Sequence, residues 1–327
     1  MAKIDKTVGW LVAKAQSSET PDAAAFPKTD AALSLVDAFP EANRCSAECL
    51  IIEHRDAIPR PSLGREAIAD ALSTQLQLVY GIGAQYESAL QSEGYHTLDD
   101  LLAHPRWGGA SEALLAAWGT PPNPEAVFRS LDRWLPSGHP LCLRALGLVP
   151  LERLLFLDLE TLGLGGAPVF LAAIGGYRVD GFETRQLLAT SLAGEVELLV
   201  AMADALRDTD GLVSYNGKSF DITVLRERFA YYGLPFPESA IHVDLLHHAR
   251  RAYGGTLPDR HLGTIEEHVL GIGRHDDLPS AEVPIAYTAY LESGDANHLV
   301  SILRHSRQDL VSLGALLEQL VRESGHA

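Results

Sequence analysis

The chain has 327 residues, of which 46% are hydrophobic and 21% charged, and its formal net charge is −17 at pH 7. That length accommodates two domains of ordinary size, and that composition is globular. The excess of acid excludes a protein that coats nucleic acid by broad, non-specific phosphate contact. An anionic substrate remains open where divalent cations reverse the sign locally.

No apolar run approaches the ~20 residues a membrane span needs. The amino terminus has only a short apolar patch, Val8 to Ala13, too short for a secretory signal core. A cytoplasmic location and no membrane partner are therefore expected. The three cysteines fit a reducing compartment, and Cys45 and Cys49, without a second pair of ligands at zinc spacing, read as ordinary thiols. Residues 1–44 read as linker or poorly ordered, because the part from about Gln16 to Arg44 is rich in Ala, Ser, Pro and Asp with weak periodicity.

Residues 45–148 are expected to form a small, mostly helical domain. "CLIIEHR", Cys49 to Arg55, is a short strand candidate. Arg65 to Tyr80 has helical apolar spacing and runs into the turn Gly81-Ile82-Gly83. A second helix ends at Gly94, and Thr97 with Asp100 three residues on resembles a capping box opening another. The Pro-rich stretch 119–140 marks the approach to a boundary. Residues 149–327 then read as strand, two strands joined by "DGFE" (Asp180–Glu183), helix, strand, helix ending at Gly233, and several helical pieces. That order describes an α/β fold, a mixed sheet flanked by helices.

The chemistry concentrates in "LLFLDLETLGLGG", Leu154 to Gly166. In a strand, residues i and i+2 share a face, so Asp158 and Glu160 project together. Two buried carboxylates side by side repel, and a divalent cation relieves the repulsion. "SYNGKSFD" places Asp221 just after a strand, at a helix start. "RHSRQDLVSL" places Asp309 on a late helix with His305 four residues earlier, on the same face. An imidazole beside a carboxylate is what a general base near a metal requires. "GLGG" is not a dinucleotide loop, because the sequence after it reads as strand.

"FLDLETLGL", "NGKSFD" and "HSRQD" resemble the three exonuclease motifs of the DEDD superfamily on a ribonuclease H-like fold. With "HVDLLHHARR" and "TIEEHVLGIGRHDDLPSAEVPIAY" between them, the resemblance is to the YprB-type ribonuclease H-like domain and covers roughly Leu151 to Leu320. It implies a metal-dependent 3′→5′ exonuclease acting on DNA or RNA by a two-metal mechanism with Mg²⁺ or Mn²⁺. Asp158, Glu160, Asp221 and Asp309 would be the metal ligands, and His305 would take the proton from the attacking water. The family has a Tyr type, with three residues before the last Asp, and a His type, with four. Here a His stands at the Tyr-type spacing. By the same resemblance Thr161, Leu162 and Gly163 would meet the terminal nucleotide. Asn216 would lie near the substrate and Lys218 would face phosphate. His242 and Asp244 follow the second motif, and Asp244 is expected to be structural.

The helix–Gly81-Ile82-Gly83–helix segment resembles a helix-hairpin-helix module, which implies a phosphate contact at Gly81, Ile82 and Gly83. No cluster of Lys or Arg lies beside it in sequence. Two alternatives stay open: a metal nuclease of the same fold that cuts internally, and a non-catalytic nucleic-acid-binding scaffold. The sequence does not set an oligomeric state.

Overall fold

Alternation along Leu154–Thr161 sets the architecture. Leu155, Leu157 and Leu159 point to one side of this strand, and Leu154 and Phe156 to the other. A strand apolar on both faces must lie inside a sheet covered by helices on each side. The computed structural model describes residues 34–274 and 277–324 and has that arrangement. Seven strands form one mixed sheet: β1 (Asn43–Arg44), β2 (Cys49–Asp56), β3 (Leu154–Thr161), β4 (Val169–Arg178), β5 (Gly181–Ala189), β6 (Gly211–Ser214) and β7 (His242–Asp244). Their spatial order is β1-β2-β5-β4-β3-β6-β7. The β3–β6 and β6–β7 pairs are parallel and the others antiparallel. The fold is α/β, a mixed sheet flanked by helices.

The helices, in chain order, are α1 (Leu35–Ala38), α2 (Arg65–Ser73), α3 (Ala84–Ser92), α4 (Gly108–Trp118), α5 (Pro124–Trp134), α6 (Pro140–Ala145), α7 (Glu195–Arg207), α8 (Asp221–Tyr231), α9 (Leu245–Tyr253), α10 (Leu262–Ile265), α11 (Val283–Ser293) and α12 (Asn297–Ser324). Helices α7 and α8 cover the Leu157/Leu159 face, and α11 and α12 cover the other. Helix α12 buries Leu310, Leu313, Leu317 and Leu320, a helical-period stripe, against Leu154 and Phe156. Gly314 lets it come close: a Cβ there would meet the Phe182 ring at 2.9 Å, and Tyr177 donates its hydroxyl to the Gly314 carbonyl at 2.7 Å. None of these helices is long and apolar enough to cross a membrane.

Several expectations are corrected. Strand β2, expected in the small helical domain, lies in the sheet and pairs along its whole length with β5. It has an apolar residue for each face, and its partner lies far downstream, at a separation of 132 residues for Glu53 and Arg185, so nothing local announces the pairing. The helices between residues 58 and 149 share one apolar cluster with β3, β4 and α12. Of the stretch 1–44, residues 1–33 lie outside the described residues. Residues 34–44 form α1, capped by the Ser34 hydroxyl, and β1, so they are structured rather than linker. Helix α2 stops at Ser73, where the Ser73 and Thr74 hydroxyls both donate back to the Asp70 carbonyl. Thr97 and Asp100 do exchange hydrogen bonds as a capping box, at 2.8 and 3.1 Å, but open only a 3₁₀ turn, Asp100–Ala103. The β4–β5 turn is Val179-Asp180 alone, because Gly181 already pairs with Arg178. Cys45 and Cys49 are joined in a disulfide, not ordinary thiols: the β1–β2 turn brings their Cα atoms to 5.3 Å, within bridging range.

Candidate active site

On β3 the face that carries Leu154 and Phe156 changes character toward the strand's end, where Asp158 and Glu160 replace apolar side chains. Helix α12 crosses this face. Its leucines meet the apolar half, and one to two turns earlier His305 and Asp309 meet the acidic half. The His305 Nε2 atom lies 3.5 Å from Asp309 Oδ2 and 4.0 Å from Glu160 Oε1. Glu160, His305 and Asp309 each offer a ligand atom, all within 4.8 Å of one another. A bulge between Glu160 and Thr161 ends the regular pairing with β4 and turns the chain at the rim of the site.

Asp221 enters from the other side, as the first residue of α8, where an acid suits the helix dipole. The Asn216–Lys218 loop sets its approach. Asn216 adopts φ +65°, and the Asn216 and Lys218 amides donate to the two Asp244 carboxylate oxygens at 2.8 and 3.2 Å. A Cβ on Gly217 would meet the Ser214 Cβ at 2.6 Å and Asp221 Oδ2 at 3.0 Å. The Ser214 hydroxyl lies 2.7 Å from His242 Nε2, and burial, with Lys218 and Arg226 nearby, lowers the His242 imidazole to about 3.

The four acids disturb one another. Burial, then Asp309, Glu160 and Asp221, raises the Asp158 carboxyl well above its ordinary range, against the pull of Arg274. Burial raises Glu160 as well, opposed by His305 and reinforced by Asp309 and Asp221. Asp221 is raised to about 7, again by burial first, while amide hydrogen bonds oppose the rise. Asp309 is raised by burial against His305 and Arg274. Burial disfavours charge on His305, but the Asp277 hydrogen bond and the Asp309, Asp277 and Glu160 charges outweigh it and raise the imidazole. Two buried carboxylate oxygens, Asp158 Oδ2 and Asp221 Oδ1, have no hydrogen-bond partner. Orphaned anionic oxygens facing a cluster of acids are the donor set of a hard divalent cation.

Sequence reasoning missed a second layer. Glu266 lies in a π-helical turn, Glu266–Leu270, with a fully buried side chain. It takes a forked ion pair from Arg274 Nε and Nη2, and the Ser312 hydroxyl donates to it as well. Arg274 Nη2 also reaches Asp309 Oδ1, while Nη1 donates to Asp277 Oδ2 at 2.7 Å. The Ser280 hydroxyl lies 3.3 Å from His305 Nε2. The signal in sequence is the segment "TIEEHVLGIGRHDDLPSAEVPIAY", which contains Glu266, Arg274, Asp277 and Ser280 but assigns none of them a role.

The other site candidates are placed as follows. Thr161 is buried and donates its hydroxyl to the Gly163 carbonyl at 2.6 Å, and Leu162 packs partly under the α11–α12 cluster. The Lys218 ammonium lies 3.4 Å from Asp132 on α5, away from the four acids. Gly81-Ile82-Gly83 is a surface turn into α3 with Ile82 buried and Gly81 at φ +86°. Arginines do flank it in space: Arg106 stacks on Tyr86 and Trp107, and Arg133 on Trp134, which contacts Tyr80. Among the described residues neither arginine has a carboxylate partner.

The chain is 33% identical over 175 residues to "Uncharacterized protein YprB" of Bacillus subtilis (strain 168), a match covering 50% of this chain and 41% of that relative's length. Among solved structures, it aligns with the family B DNA polymerase from the hyperthermophilic archaeon Pyrobaculum calidifontis at a TM-score of 0.41 and 18% identity, over 53% of this chain and 27% of the polymerase. The RNase_H superfamily model matches residues 155–321, more than half of the chain and all of the acidic centre, and the chain belongs to that superfamily.

Proposed function

We propose that this chain is a metal-dependent 3′→5′ exonuclease of the DEDD type, hydrolysing nucleic-acid phosphodiesters with two Mg²⁺ or Mn²⁺ ions. The observation that carries the reading is the convergence of Asp158, Glu160, Asp221 and Asp309 at the end of β3 with His305 against them, two of the carboxylate oxygens being buried and unpartnered. Four acids all raised above their ordinary range, each chiefly by burial and most of them by neighbouring carboxylates as well, are poorly stable without a cation. They fit a hard divalent ion in charge and in donor type. Asp158, Glu160, Asp221 and Asp309 would hold it. Such ions, when bound, activate water at neutral pH and neutralise charge on the attacking and leaving oxygens.

The chain's own groups would do the rest. His305 presents Nε2 toward Glu160 and Asp309 and would accept the proton of the attacking water. The turn after Glu160, with Thr161, Leu162 and Gly163, would bound the terminal nucleotide. Asn216 and Lys218 would sit on the strand's path toward α5. Gly81, Ile82 and Gly83 are proposed as a second contact, and the exposed Arg106 and Arg133 beside aromatic rings favour nucleic acid there.

The test is release of mononucleotides from a 3′-labelled single strand, with Mn²⁺ or Mg²⁺ and with a chelator. Wild-type protein should release them only with metal, and Asp158→Ala should abolish release. A circular single strand should be untouched. Wild-type rates in Asp158→Ala refute the catalytic assignment, and cutting of the circle refutes the exonuclease direction.

A further inference from the structure

His305 has two nitrogens, and only one can face the acids as a base. Its Nδ1 lies 2.9 Å from Asp277 Oδ2 and 3.2 Å from Arg274 Nη1. These neighbours make opposite demands. Arg274 can only donate, so a ring partnered by it alone must leave Nδ1 bare and carry its proton on Nε2. An ionised Asp277 can only accept, so it requires the proton on Nδ1. Burial works against charge on Asp277, but the hydrogen bonds from His305 and Arg274 draw its carboxyl down to about 2, so it is ionised. The shorter contact and the charge both favour Asp277.

Asp277 is itself held. Arg274 Nη1 donates to it at 2.7 Å, and Arg274 is fixed by its fork on the fully buried Glu266. The His305 ring is almost wholly buried, with 3% of its side chain exposed, so solvent does not choose the tautomer. A His whose second nitrogen donates to a carboxylate is fixed in orientation as well as in proton placement.

We propose that Asp277 is a positioning residue: it keeps the His305 proton on Nδ1 and so directs the Nε2 lone pair into the space between Glu160 and Asp309. The inference rests on the nuclease reading for its purpose, the capture of a water's proton, but its geometry can be measured independently.

The experiment has two arms. In the first, ¹⁵N NMR of the imidazoles is recorded on metal-free protein at a pH where His305 is neutral, with its signals identified by their loss in His305→Ala. The wild type should show the Nδ1–H form. Asp277→Ala should show Nε2–H, because Arg274 is then the remaining Nδ1 partner. Asp277→Asn, whose amide oxygen can still accept, should restore part of the Nδ1–H form, and it serves if the alanine variant does not fold. In the second arm, Asp277→Ala should lower kcat roughly 10–10²-fold, a part of what a general base supplies, with KM unchanged. In a His305→Ala background it should cost nothing further. Nδ1–H retained in Asp277→Ala, or undiminished in Asp277→Asn, or an undiminished loss in the His305→Ala background, overturns the proposal. An inactive wild type would sink the nuclease reading, and the spectra would still decide the role of Asp277.

Discussion

Asp221 offers the sharpest test of the acid centre that does not depend on catalysis. Its carboxyl is 4% exposed as a residue, has an unpartnered Oδ1, and is raised from 3.8 to about 7, chiefly by burial. A carboxyl raised on folding contributes stability that is complete below its unfolded pKa and lost as pH rises through the folded one. In metal-free protein that loss runs from about pH 4 to about pH 7. Asp221→Asn keeps the shape and the acceptor oxygen but removes the titration. Each pKa unit is worth about 1.4 kcal/mol. Relative to wild type, the variant should therefore gain roughly 2–3 kcal/mol between pH 5 and pH 8. Urea unfolding in chelator at the two pH values measures this. Added Mn²⁺ should reverse the order at pH 8, since wild type gains binding free energy that the variant has lost. A difference that is the same at pH 5 and pH 8 would refute the claim that Asp221 carries an uncompensated charge.

Three further outcomes are expected. Arg228 and Glu195 form a buried fork, with 8% and 2% of their side chains exposed, and Arg228 also donates to the Gly166 carbonyl behind the acid pair. Arg228→Met strands the Glu195 charge and should cost roughly 3–5 kcal/mol in denaturant unfolding; a cost under 1 kcal/mol would mean that water reaches the pair. Gly217→Ala places a methyl against Ser214 and Asp221 and should cost about 1–3 kcal/mol, with weaker Mn²⁺ binding by calorimetry; unchanged binding would show that the loop does not set Asp221. Without reductant, unfolded protein should show one titratable thiol, Cys142, and native protein none that reacts fast, since burial and then Asp132 push that thiol up to about 11. Three thiols would refute the Cys45–Cys49 bridge.

Patterns local in the chain were legible without coordinates. Period-two alternation put Asp158 and Glu160 on one face of β3, and the i, i+4 spacing put His305 and Asp309 on one face of α12. The helix start at Asp221 and the glycine turn before α3 belong to the same class. Each follows from backbone geometry over a few residues, and backbone geometry is local.

Other features came only from tertiary structure. Strand β2 reads as a strand anywhere, but its place beside β5 depends on a partner more than a hundred residues away. Arg106 and Arg133 are not neighbours in sequence, and folding alone sets them on either side of the Gly81–Gly83 turn. Asp277 lies 28 residues before His305 and Arg274 lies 35 before Asp309, and both stand outside any helix or strand, so no periodicity ties them to the helix they meet. Local periodicity settles which acids share a face. The packing of α12 across β3 decided that those faces meet, and with them which partner holds the His305 proton, because hydrogen bonds between distant segments exist only once the apolar faces beneath them have been buried together.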